Sequence, residues 1–374
     1  MNRRLLKTFR LFYLSIVSAF FIIGCKEPGK YSIVQTNNPR FVPNTLFSRF
    51  EDLSSPKYKA LKEKYELDTI FHGETDEFKR VLLIRNWIRK IIEIDNVGPY
   101  PGDGSVESIL DAALKGHGFH CGHYMVVQNA ILNAYGYVTR CLGAGEGSLP
   151  VVESHHAINE VWVNKYSKWV LIDAKYDYHF EKNGIPLSAL EVRGESLRNH
   201  AQDIVLVKGP DRVPTETYPE LNNRPKSEFA RVYTWITWQK YANPYTGFPI
   251  DQWNDLIAYK DDYTQNHIWI REGKQHWAYN TPHLTEVADA ESINWTPNTI
   301  KANVEISGAT ALVKLESDTP NFQTYQMKQG TNEWVNVPES LAIDLKNEKE
   351  ERLFQAVNKA GVPGPPFTLV IQRQ

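Results

Sequence analysis

The stretch GHGFHCGHYMVV, residues 116–127, sets one cysteine, Cys121, among three histidines, His117, His120 and His123. A thiol attacks carbonyls or binds metals only as the thiolate. Gly116, Gly118 and Phe119 precede Cys121 and a helical pattern follows it, so the cysteine stands at a helix start. There the helix dipole and the unpaired amides favour the anion, and the same amides can hold an oxyanion. The glycines leave room for a substrate to approach the sulfur. Such a thiol needs a base, and the base needs an orienting group. His155 and His156 in SHHAINEVWV are the base candidates. Asp173 in KWVLIDAKYD is the orienting acid, with Asp177 a competitor just past the strand. The chemistry would be attack on an amide carbonyl, a tetrahedral oxyanion, a thioester, and then hydrolysis or transfer to a second amine. Histidine and cysteine are also zinc ligands. His117 falls in a glycine loop and no distal ligand pair is evident, so neither metal nor cofactor is assigned. His120 and His123 are expected to line the pocket.

The elements must bring these groups together. Residues 76–93, DEFKRVLLIRNWIRKIIE, carry Phe78, Val81, Leu82, Trp87, Ile88, Ile91 and Ile92 at helical spacing. Thr75 reads as the N-cap, with Asp76 and Glu77 in the first turn. A loop, NVGPYPGDGS, separates this helix from a short one, VESILDAALK. GHYMVVQNAILNAYG predicts a helix stopped by Gly136. Strands are expected at 137–143, 157–164 and 168–174, the last two joined by KYS as a hairpin. In so tight a hairpin the start of one strand lies opposite the end of the other, which puts His156 beside Asp173. Cys141 sits in an apolar strand and reads as core.

Cysteine at a helix start, His-Ala opening a strand, and Trp-Val-x-x-Asp closing its partner appear here as FHCGHY, HHAINEVWV and KWVLIDA. This order resembles the transglutaminase-like superfamily of papain-like cysteine enzymes, over roughly residues 76–180. The resemblance implies an α+β fold with a papain/transglutaminase-like core, in which the cysteine helix packs on an antiparallel sheet. It implies Cys121 as nucleophile, His156 as general base and acid, and Asp173 as orienter. His156 is preferred to His155 because it carries the following alanine. Two positions depart from the family pattern. No Gln precedes the cysteine as oxyanion donor, which leaves His117, His120, His123 or a backbone amide for that part. Ala174 stands where a proline is usual. The missing Gln raises an alternative: a surface protein that keeps the fold as a scaffold and binds peptide or glycan.

The chain has 374 residues and a net charge of −2, so it lacks the basic footprint of a nucleic-acid binder. MNRRLLKTFR followed by the apolar LFYLSIVSAFFIIG reads as a secretory signal. The ending IIGC resembles the lipobox of bacterial lipoproteins. That implies cleavage before Cys25, lipidation of Cys25, and a tether to a membrane of the bacterial cell envelope, periplasmic or outer. Cys121 and Cys141 remain, and a bridge between them needs Cα atoms within about 7 Å. The expected plan is a signal at 1–24, an anchored spacer at 25–50, a transglutaminase-like domain at 51–207, an aromatic-rich region at 208–297 and a β-sandwich at 298–374. Six of the ten tryptophans fall in 227–296 and are expected to be core rather than a glycan platform. The tail LFQAVNKAGVPGPP resembles the last strands of fibronectin type III-like modules. The expected substrate is a protein, peptide or cell-wall peptide.

Overall fold

The computed structural model describes residues 30–34, 36–146, 155–247, 255–267, 270–271, 274–275 and 283–374. The expected signal and the expected lipidation site, Cys25, lie outside the described residues, as do Trp253, Trp269 and Trp277. Along the chain run strand β1 (Tyr31–Val34), helices α1 (Pro56–Lys64) and α2 (Glu77–Ile91), strand β2 (Glu93–Ile94), helix α3 (Val106–Ala113), strand β3 (Gly118–Phe119) and helix α4 (Cys121–Ala134). Strands β4 (Thr139–Gly145), β5 (His155–Val163), β6 (Lys168–Ile172) and β7 (Tyr178–Lys182) follow, then helix α5 (Ala189–Asn199). The N-cap of α2 is Asp76 rather than Thr75. Its backbone is extended and its carboxylate accepts from Lys79 N at 2.9 Å, the reach a cap requires. Gly136 ends α4 as expected, with a left-handed φ of +77°, and a Cβ there would meet Ala360 and Val362 at 2.7 Å.

The α4 helix lies on a six-stranded sheet ordered 283–287, 255–259, 235–239, β4, β5, β6. Its pairs are antiparallel except 255–259 with 283–287. One face buries Leu82, Ile88, Val127, Ile131, Val161 and Val170 among the helices. The opposite face buries Leu142, Ile158, Trp162, Trp169, Trp238 and Trp295. Trp235 is buried as well, so the described tryptophans of the aromatic-rich region are core. The β5–β6 ladder ends at Asn159 opposite Ile172. Asp173 then bridges to Tyr178 instead, while the start of β5 continues along β4, with His156 opposite Ala144. His156 and Asp173 are therefore not directly opposed. They share a face one diagonal step apart, a distance their long side chains span.

The C-terminal part is two sheets around Ile300, Val313, Phe354 and Ile371. One holds 301–307, 310–316 and 340–344, and the other orders β1, 367–373, 349–358, 322–328 and 335–337. The described residues are thus α+β, with the helix that begins at Cys121 packed on a mostly antiparallel sheet, followed by a β-rich unit. Residues 25–50, expected as a spacer, behave otherwise where they are described. β1 pairs antiparallel with Phe367–Arg373, from Tyr31 opposite Arg373 to Val34 opposite Val370. Beyond it, Val42 N donates to Thr296 Oγ1 at 2.8 Å and Ser48 N to Lys240 O at 3.0 Å. A Pro- and Asn-rich stretch suits this path, because its contacts are single bonds to loops rather than a ladder. Among the described residues no helix is long and apolar enough to cross a membrane.

Candidate active site

Cys121 is the first residue of α4 and is 8% exposed. The residue before it, His120, caps the helix with its ring: Nδ1 accepts from Gly122 N at 3.0 Å. That puts the proton of neutral His120 on Nε2. His123 N donates to His120 O at 3.1 Å, so two first-turn amides are already engaged. The glycines have a different use from the substrate clearance the sequence suggests. A Cβ on Gly122 would lie 2.9 Å from the His120 ring, and one on Gly118 would lie 2.8 Å from the Asp95 Cβ. They make room for the capping imidazole and for the turn after β2.

His156 Nε2 lies 2.9 Å from Asp173 Oδ2, and both residues are buried. With Nε2 engaged, Nδ1 is the ring atom left for sulfur, and the Cys121 side chain hydrogen-bonds with His156. The other Asp173 oxygen, Oδ1, accepts from Lys175 N at 2.9 Å and Tyr176 N at 3.3 Å. The carboxylate is fixed before it reaches the imidazole. The Tyr176 ring stacks on His156 at 5.6 Å and Phe229 meets it edge-on at 5.6 Å, holding the ring plane.

Burial alone would raise the Cys121 pKa. Hydrogen bonds with His120 and His156, and the charges of His156 and Lys175, outweigh burial and hold the thiol well below its ordinary value. Burial pulls His156 down, but the Asp173 charge and hydrogen bond, joined by those of Cys121, push it up to about 9. The Cys121 thiol is thus biased toward thiolate and His156 toward imidazolium, each charge favouring the other. Cys141 contrasts with this: burial pushes its pKa up, and Asn159 Nδ2 lies 3.4 Å from its sulfur. Both cysteines are free thiols, with no bridge between them.

The structure brings together Cys121, His156, Asp173 and His120, with His123 behind. His123 packs against His120 at 4.2 Å, Tyr100 at 4.8 Å and Phe119 at 4.8 Å. Burial and the neighbouring His120 push its pKa down to about 4, so it is neutral at pH 7. His117 is exposed on the turn after α3 and takes no part in this cluster. His155 is exposed, whereas His156 is buried. Asp177 is spoken for elsewhere, by Arg85 Nε at 2.7 Å and Asn86 Nδ2 at 2.7 Å. Among the described residues no group of three or more His, Cys, Asp or Glu side chains converges as a metal site. Sequence reasoning missed Lys175, whose Nζ donates to Asn96 Oδ1 at 2.7 Å, and the packing partners Tyr100, Tyr176 and Phe229. A lysine just past a strand reads as a solvated charge, and Phe229 comes from a distant segment, so neither carried a local signal.

Residues 67–174 match the model of the transglutaminase-like superfamily, a span that holds Cys121, His156 and Asp173. No curated protein matches. Among solved structures 39 chains match. One is a crystal structure from Cytophaga hutchinsonii, named only provisionally as a cysteine protease. It is 18% identical with a TM-score of 0.25, and the match covers 39% of this chain and 49% of that one.

Proposed function

We propose that this protein, which carries a transglutaminase-like domain, is an exported, lipid-anchored cysteine enzyme that cleaves or transfers at amide bonds. The observation that carries the proposal is the ordered chain of contacts from Cys121 at the α4 N-terminus to His156 and on to Asp173 at 2.9 Å. In the proposed reaction the Cys121 thiolate attacks the amide carbonyl carbon, and the carbonyl π electrons move to oxygen. As the tetrahedral oxyanion collapses, the C–N bond breaks and the His156 imidazolium gives its proton to the departing amine. The product is a thioester and neutral His156. Water, or a second amine, then attacks the thioester while His156 takes its proton. The C–S bond breaks, and thiolate and imidazolium are restored. Asp173 holds the ring and its charge throughout.

The substrate class on this reading is a protein, peptide or cell-wall peptide, and the anchor is Cys25. Turnover of a panel of peptide amides, with and without an added primary amine, tests the chemistry. Cys121→Ala is expected to abolish both amine release and amine incorporation. Undiminished turnover by that variant would remove the proposal. Tight glycan or peptide binding that survives Cys121→Ala, with no turnover by wild type, would favour the scaffold alternative.

A further inference from the structure

The site reads as a balance of charges. Cys121 thiolate and Asp173 carboxylate are two negative charges, and His156 imidazolium is one positive charge. All three residues are buried. A net negative charge out of water is costly, so a fourth group must offset it or the thiol will stay protonated. Lys175 is in place to do this. It is only 4% exposed, an unusual position for a lysine, and it follows Asp173 by two residues. Its backbone N donates to Asp173 Oδ1 at 2.9 Å and its Nζ reaches Asn96 Oδ1 at 2.7 Å. Asn96 belongs to the loop after β2, the same loop whose Tyr100 packs on His120 and His123. Lys175 thus ties the Asp173 turn to the loop that flanks the cysteine. Burial pulls its pKa down, and the charges of Cys121 and Asp173 oppose that pull.

We propose that Lys175, pinned by Asn96, is a positioning residue whose positive charge keeps Cys121 ionised and the buried site neutral. This inference rests on the function proposed above and extends it. The other groups around the thiol do not supply that charge. His120, the cap of α4, accepts at Nδ1 from Gly122 N at 3.0 Å, which an imidazolium could not do, and burial keeps His123 neutral. Tyr100, Tyr176 and Asp95 can add only negative charge. His156 is matched by Asp173. When the carbonyl is attacked, negative charge moves from sulfur to oxygen within the same pocket, and a fixed ammonium serves both states.

The test is alkylation of full-length protein by iodoacetamide as a function of pH, read at Cys121 by peptide mass mapping. Wild type is expected to react with a midpoint well below the ordinary thiol value of about 8.5. Lys175→Met is expected to raise that midpoint by about 1–3 pH units. Lys175→Arg, which keeps the charge, should restore it. Asn96→Asp alters an exposed residue and leaves the core intact, yet its carboxylate would neutralise the ammonium and raise the midpoint too. An unmoved midpoint in Asn96→Asp and in folded Lys175→Met, with wild type still depressed, overturns this inference alone. A wild-type midpoint near that of a free thiol would instead sink the thiolate–imidazolium pair on which both proposals stand.

Discussion

At the scale of single residues, the coupling of Cys121 to His156 sets a pH dependence. Acylation needs thiolate and imidazolium together, so kcat/KM on an amide should fall on the acid side as Cys121 is protonated. It should fall on the alkaline side as His156 loses its proton near pH 9. Asp173→Asn removes the charge that raises His156. The alkaline limb should then move to lower pH and the rate drop by roughly 10²–10⁴-fold. A pH–rate profile checks both, and an alkaline limb unchanged in Asp173→Asn would contradict the assignment of Asp173. Stability follows the same signs. The folded His156 value exceeds the unfolded one, so its contribution is complete below about pH 6.5 and is lost as pH rises through about 9. The order of residue types singled out Cys121, His156 and Asp173 as groups that would meet, and their side chains do meet. Lys175 was not legible, because only the loop after β2, folding over it, turns a surface residue type into a buried charge.

At the scale of elements, α2 is fastened to β7 by buried charges rather than by apolar contact alone. Arg85 sits on the same face as Val81 and Ile88, yet it is fully buried. Its Nε meets Asp177 Oδ1 at 2.7 Å, its second nitrogen reaches His179 Nδ1 at 2.7 Å and its third reaches Gly209 O at 3.0 Å. His179 Nε2 passes the chain on to Glu181 Oε1 at 2.7 Å, and Arg212 closes it from outside at 2.6 Å. Arg85→Leu would leave Asp177 buried without its cation. Stability should fall by about 3–5 kcal/mol, read from chemical denaturation. A loss within error of zero would mean that Asp177 finds water or another partner. The sequence pattern gave α2, α3, α4, β4, β5 and β6 to within a few residues, because their apolar faces are the signal, but gave no strand at β7. It could not give the diagonal offset of His156 from Asp173. That offset depends on where the β5–β6 ladder stops, at Ile172, and on the Asp173–Tyr178 bridge that replaces it.

At the scale of the whole molecule, the two ends of the described chain meet in one sheet. Composition pointed to a spacer at 25–50 because Pro, Asn and Gly signal irregular backbone. A four-residue edge strand such as β1 is too short to leave a periodic mark. The lipid-anchor proposal is tested by fractionation: wild type should partition with membranes, and Cys25→Ala should appear in the soluble fraction. Equal partitioning of the two would sink the anchor. On the lipid-anchor proposal, the β1 pairing would also set the length of the tether. From Cys25 to Tyr31 the chain can stretch at most about 20 Å even when fully extended. An acylated Cys25 would therefore moor the protein by its C-terminal sheet rather than by the Cys121 domain. On that proposal the pull of the membrane would fall on the β1 edge strand, and detaching β1 from Phe367–Arg373 would lengthen the tether.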